Sequence, residues 1–180
     1  MVQLTTFTAV VLAAATAVSA HWRDSRSVNT TEIHMTGTHL AGRATIQQQY
    51  LDAHNAERAA HGAKALVWDS GLESSAKAWA VQCKFQHSQS GQNLAAGTGS
   101  PSIATMIGWW NAERSDYKGP DDYSHWTQVV WKSTTKLGCY TATCAPGTIF
   151  DASYGSSSYL VCHYDPAGNV LGQFPQNVQK

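Results

Sequence analysis

A histidine, two tryptophans and two cysteines fall within residues 123–144, YSHWTQVVWKSTTKLGCYTATC, in a chain of 180 residues. A histidine offers a proton acceptor or a metal ligand near neutral pH. His125 precedes a run from Trp126 to Trp131 that is β-branched or aromatic apart from Gln128. Such side chains fit a pleated surface, so the run reads as a largely buried strand with His125 at its lip. Elsewhere Ser88 stands beside His87, a hydroxyl next to a base. Neighbours in sequence do not aim their side chains at one another, and no GxSxG, HExxH or reactive free cysteine supports hydrolysis. The four cysteines, Cys83, Cys139, Cys144 and Cys162, show no CxxC spacing. In an oxidising compartment they read as two disulfides, with three pairings open, rather than as a zinc cluster.

The chain's first twenty residues indicate that compartment. Residues 1–20 carry no charge and hold an apolar run from Phe7 to Val18 that ends in Val18-Ser19-Ala20. This is a secretory signal peptide without the usual basic residue, and the run is too short to span a membrane. The remaining residues, about 160, suffice for one domain with a proper core. Twelve basic side chains balance twelve acidic ones, which leaves no electrostatic footprint for nucleic acid or an anionic membrane. Residues 21–44 are polar and aperiodic and read as a flexible leader. That leader carries the sequon at Asn29 and the scattered histidines His21, His34 and His39.

Three helices must position this chemistry. Thr45-Ile46-Gln47-Gln48 is a capping-box pattern that starts a helix to about His61, with Ile46, Tyr50, Ala53 and His54 on one face and Gly62 as its stop. Ser70-Gly71-Leu72-Glu73 repeats the device for a second helix to about Cys83. Ser100-Pro101 opens a third, to about Arg114, with the stripe Ile103, Met106, Ile107 and Trp110. The stretch FQHSQSGQNLAAGTG is too polar and glycine-rich for a long element. After a polar turn at 132–136, strands are expected over Leu137–Cys144 and Tyr159–Tyr164, with a loop from Ala145 to Ser158. Helices first and strands late argue an α+β fold with a small antiparallel sheet.

In order along the chain stand AHNAER at 53–58, LVWDSGL at 66–72, HS and GQNLA within 87–95, HWTQVVW at 125–131, GC at 138 and YLVCHYDPAGN at 159–169. Together they resemble the CAP superfamily of cysteine-rich secretory, antigen 5 and pathogenesis-related proteins, with a four-cysteine pattern most similar to its fungal members. The resemblance covers about Thr45 to Gln173, places the domain at 45–180, and implies a three-layer α-β-α sandwich with a central cleft. In relatives that cleft holds two histidines and two acids, often with zinc. The matching positions are His87, His125 and, on the third helix, Glu113. The second acid is replaced: where relatives read GENLA, this chain reads Gly91-Gln92-Asn93-Leu94-Ala95.

A neutral amide neither offsets the charge of zinc nor helps deprotonate water, so the cleft is a weakened metal site. One reading keeps His87, Glu113 and His125 as three ligands for weakly held zinc. The favoured reading makes His87, Gln92, Glu113 and His125 a hydrogen-bonded cluster in which Gln92 donates to Glu113, and no cofactor is required. The resemblance also pairs Cys83 with Cys144 and Cys139 with Cys162.

In fungal relatives the loop before the second histidine helps bind sterols, and a groove between helices takes fatty acids. Here that loop, RSDYKGPDDYS at 114–124, is shorter and keeps Tyr117 and Tyr123, with Trp126 just beyond, but Lys118, Asp121 and Asp122 make it polar. Sterol binding is therefore expected to be weak. The Ile103–Trp110 stripe is read as core unless exposed. Tyr140 follows Cys139 where relatives usually have glycine, and the 145–158 loop adds Phe150 and Tyr154. The expected function is a secreted, non-catalytic domain binding a hydrophobic small molecule, sterol or fatty acid, or an extracellular protein, with an effector role. Its alternatives are a metal-dependent hydrolase using Glu113 as base, and a protein-binding scaffold.

Overall fold

The computed structural model describes residues 44–180; the expected signal peptide, the Asn29 sequon and His21, His34 and His39 lie outside the described residues. Helix α1 (Ile46–Ala60) begins where Thr45 accepts the Gln48 backbone N–H and ends before Gly62 at φ +67°. Its buried residues, Tyr50, His54 and Arg58, recur every four positions, one stripe of a helix. Ile46 is 57% exposed and does not belong to that stripe.

After the short strand β1 (Val67–Trp68), α2 (Ser70–Ala80) is capped by Asp69, which accepts the Leu72 N–H at 2.9 Å. The expected cap at Ser70 moves back one residue. Glu73 accepts from the Trp68 indole instead of closing a capping box. The expected loop before the third helix contains a seven-residue strand, β2 (Gln92–Thr98), whose low intrinsic propensity is overridden by pairing along β4. Helix α3 (Ile103–Ala112) starts after a Ser102 cap rather than at Ser100-Pro101 and runs into a 3₁₀ turn at Glu113–Asp116.

The largest departure is α4 (His125–Val129), where a strand was expected. Ser124 and Thr127 cap each other reciprocally: the Ser124 N–H donates to Thr127 Oγ1 at 2.8 Å, and the Thr127 N–H to Ser124 Oγ at 3.2 Å. Two otherwise orphaned donors are satisfied, which outweighs the β preference of the side chains. Trp126, Val129, Val130 and Trp131 are buried from this helix and the turn after it.

Strands β3 (Lys136–Cys144) and β4 (Ser157–Asp165) form a nine-residue antiparallel pair. The sheet order is β1-β3-β4-β2, and β1 runs parallel to β3, so the sheet is mixed rather than wholly antiparallel. Helices α1, α3 and α4 share one core with the sheet, in which Met106, Ile107, Trp110, Trp126, Trp131 and Phe174 are at most 2% exposed. On the other face α2 packs Ala76 and Ala80 against Leu94, Tyr159 and Val161. Helix α5 (Phe174–Asn177) closes the first core, with Phe174 edge-on to Trp131. Cys139 joins its direct cross-strand partner Cys162, and Cys83, beyond the end of α2, joins Cys144 at the end of β3.

Candidate functional site

The sheet's edge strand, β2, begins at Gln92, directly opposite His163 on β4. The Gln92 side chain faces four groups. Its Oε1 accepts the Ser88 backbone N–H at 2.9 Å, which fixes which end of the amide is oxygen. His87 Nδ1, 3.1 Å from the same oxygen, must then donate, leaving the His87 Nε2 lone pair free. Gln92 Nε2 donates to Ser88 Oγ and to His163 Nε2, each at 2.8 Å. His163 therefore carries its hydrogen on Nδ1, which is buried without a partner among the described residues. Desolvation pushes His163 down to about 4, so it is neutral near pH 7.

The second histidine is placed by a carboxylate. His125 opens α4, and its Nδ1 lies 2.7 Å from Glu113 Oε1, while its backbone N–H and that of Trp126 donate to Glu113 Oε2 at 2.7 and 3.3 Å. Burial acts to raise the Glu113 carboxyl, but the hydrogen bond and charge of His125 and the two backbone donors outweigh it and hold the group below its usual range. The His125 ring stacks on Trp110. From below, Asn93 donates to the His125 carbonyl at 2.9 Å and to the Tyr164 hydroxyl at 3.2 Å. That hydroxyl also meets His54 Nε2 at 2.8 Å, so a buried polar chain runs from α1 to the start of α4.

His87, Gln92 and His125 thus line one cleft of about 440 Å3, together with Asn93, Tyr123 and Ser124. Glu113 sits behind His125 and lines a smaller cavity of about 150 Å3 with Asp116, Tyr117 and Asp122. The expected Gln92 to Glu113 hydrogen bond is absent from the bonds Gln92 makes: the amide is held by His163 and the Ser88 turn, and Glu113 is saturated by the end of α4. Of the loop aromatics, Tyr123 is 68% exposed, whereas Trp126 is buried with its indole donating to Glu57. Tyr117 packs on Trp126. The α3 residues Met106, Ile107 and Trp110 are core.

Sequence reasoning missed His163 and Asn93. The only signal for His163 was alternation along β4, which sets it on the face opposite Cys162, and no local pattern tied it to Gln92. A second cluster, His54 with Cys139 and Cys162, has metal-like spacing. Its sulfurs are joined to each other, and His54 meets the Tyr50 carbonyl and the Tyr164 hydroxyl, so it offers no thiolate and no free nitrogen.

Helices on both faces of a four-stranded mixed sheet, with a polar cleft at the start of its edge strand, define an α-β-α sandwich. The family model for the cysteine-rich secretory protein family, CAP, matches residues 51–164, and the chain belongs to that family. Fruiting body protein SC7 of Schizophyllum commune is 47% identical over 159 residues, covering 78% of this chain and 77% of that protein. Secreted protein RBT4 of Candida albicans is 41% identical over 140 residues, 72% of this chain and 37% of its own length. Among solved structures, that of NaASP2 with Zn2+ superposes at a TM-score of 0.56 with 26% identity, covering 70% of this chain and 82% of that one.

Proposed function

We propose that this protein acts outside the cell as a non-catalytic binding domain, and that its cleft takes up zinc weakly through the Nε2 atoms of His87 and His125. One observation carries the reading: each ring has Nδ1 engaged by an oxygen acceptor, Gln92 for His87 and Glu113 for His125, while its Nε2 makes no hydrogen bond among the described residues. Such outer oxygens orient a metal-binding histidine and raise its basicity; two imidazoles are fewer than the three or four protein ligands usual for zinc, which is why the uptake proposed is weak. Glu113 serves as the acceptor behind a ligand rather than as a ligand. Zinc, when bound, would supply a Lewis-acidic centre. The disulfides and the relative named as secreted support an extracellular setting.

The hydrolase alternative needs Glu113 as a base, and both of its oxygens already accept N–H groups from His125 and Trp126. A lipid groove along α3 needs an exposed stripe, and there Met106, Ile107 and Trp110 are core, with Ile103 half-buried against them. Calorimetric zinc titration of the wild type and of Gln92→Glu tests the proposal. The variant gives the His87 N–H a carboxylate and is expected to bind zinc about tenfold more tightly. Equal affinities, or binding that survives His125→Ala unchanged, defeat it.

A further inference from the structure

We infer that the same cleft is built to receive a neutral polyhydroxylated ligand, a short saccharide. The inference rests on the cleft being the ligand site and adds the chemical class of what enters it. Its lining presents lone pairs. His87 Nε2 and His125 Nε2 are unpartnered among the described residues. Asn93, 2% exposed, spends its amide hydrogens on the His125 carbonyl and the Tyr164 hydroxyl, leaving Oδ1 without a donor. Three acceptors among the residues that line the cleft call for a ligand rich in donors.

Charge and apolarity narrow the class. Among the described residues, no Lys, Arg, Asp or Glu lines the cleft, and no aliphatic side chain does. A carboxylate or phosphate would meet no positive charge; an organic cation would find no counter-charge; an acyl chain would find no large apolar side chain besides Tyr123. Hydroxyl groups both donate and accept and carry no charge. At the rim, Gln89 and Ser90 are exposed and make no side-chain hydrogen bond among the described residues, so they remain free for further hydroxyls. Tyr123 offers an exposed ring there with no aromatic partner among the described residues, a flat apolar face matching the C–H face of a pyranose. The volume of about 440 Å3 lies within the range of small-molecule sites.

Saturation-transfer NMR on the full chain in chelator, with cellobiose, chitobiose and maltose at millimolar concentration, tests this. Transfer is expected to at least one disaccharide, strongest on one face of a ring, and zinc should weaken it by occupying the same nitrogens. Tyr123→Phe should retain binding, and Tyr123→Ala should weaken it about three- to tenfold. No transfer to any of the three, undiminished binding by Tyr123→Ala, or preference for a uronic-acid disaccharide overturns the inference. Saccharide binding in chelator by a protein that fails the zinc titration would sink the metal proposal and leave this one standing; zinc uptake without saccharide transfer would do the reverse.

Discussion

Gln92 determines what His87 can offer, and the Ser88 N–H together with His163 holds the Gln92 amide in place. Both links are hydrogen bonds whose directions follow from the Ser88 N–H on the amide oxygen. His163→Leu removes the acceptor for the amide N–H and leaves a buried donor, so it should broaden the His87 tautomer distribution, read from ring 15N shifts, and lower zinc affinity. His163→Gln offers an oxygen in the same place and should restore both. If the Leu and Gln variants are indistinguishable, His163 is packing alone. The cost of Gln92→Glu without metal also takes a different origin from the one expected: the new carboxylate would not approach Glu113 but would sit buried beside Ser88 and His163, so unfolding in chelator should occur at lower temperature. Stability should depend on pH through His54 and His163, both pushed down to about 4 by burial. Below pH 6.5 the unfolded chain binds protons that the folded one refuses, so their stabilising contribution is full above 6.5 and is lost as pH falls toward 4, by up to about 1.4 kcal/mol per pH unit for each histidine. Urea denaturation between pH 7 and 4.5 would show it; a flat profile counts against neutral buried rings. The site was legible in part. Its histidines followed from family motifs, but the bond that orients Gln92 spans 71 residues and exists only through the β2–β4 register.

Helix α4 is the element that turns a buried apolar run into a mount for His125. Its far end is held by Arg58 on α1, whose guanidinium donates to the carbonyls of Lys64, Val129, Trp131 and Thr134 at 2.7–2.9 Å. The side chain is fully buried without a carboxylate among its hydrogen-bond partners in the described residues, and desolvation lowers it to about 10, still charged at neutral pH. Arg58→Met should cost about 3–5 kcal/mol because it strands buried carbonyls, and Arg58→Lys should rescue little, since one ammonium cannot reproduce the planar fork. Denaturant titration decides this; a loss below about 1 kcal/mol would show that water replaces the guanidinium. At the near end Ser124→Ala should cost about 1 kcal/mol and loosen His125. These features also explain which elements could be read in advance. Helices α1 and α2 announce themselves by caps and a four-residue burial rhythm. Helix α4 does not, because five residues carry too little periodicity and the reciprocal Ser124–Thr127 cap competes with strong β preference. Strand β2 reads as loop because Gln-Asn-Leu-Ala-Ala-Gly-Thr gains its structure from β4, far along the chain.

Across the whole molecule the two disulfides do different work. Cys83–Cys144 anchors the start of the 84–91 segment that carries His87, whereas Cys139–Cys162 ties strands already paired along their length. Either bridge should contribute on the order of 3 kcal/mol by closing loops in the unfolded chain. Only the loss of Cys83–Cys144, as the double alanine variant, should also reduce zinc affinity; equal loss from the Cys139/Cys162 double variant would refute that division. Residues 174–179 complete the same core: Phe174 and Val178 are buried in it, the Lys132 N–H donates to the Asn177 carbonyl, and His61 Nδ1 lies 2.9 Å from the Gln179 carbonyl. During synthesis, therefore, α1, α3 and α4 have no finished core until residues 174–178 have emerged, and β1 must wait for β3 to be made. The four thiols become available before the sheet that sorts them is secure. Oxidative folding of this chain should accordingly begin with mixed pairings and depend on a disulfide isomerase to reach the native two.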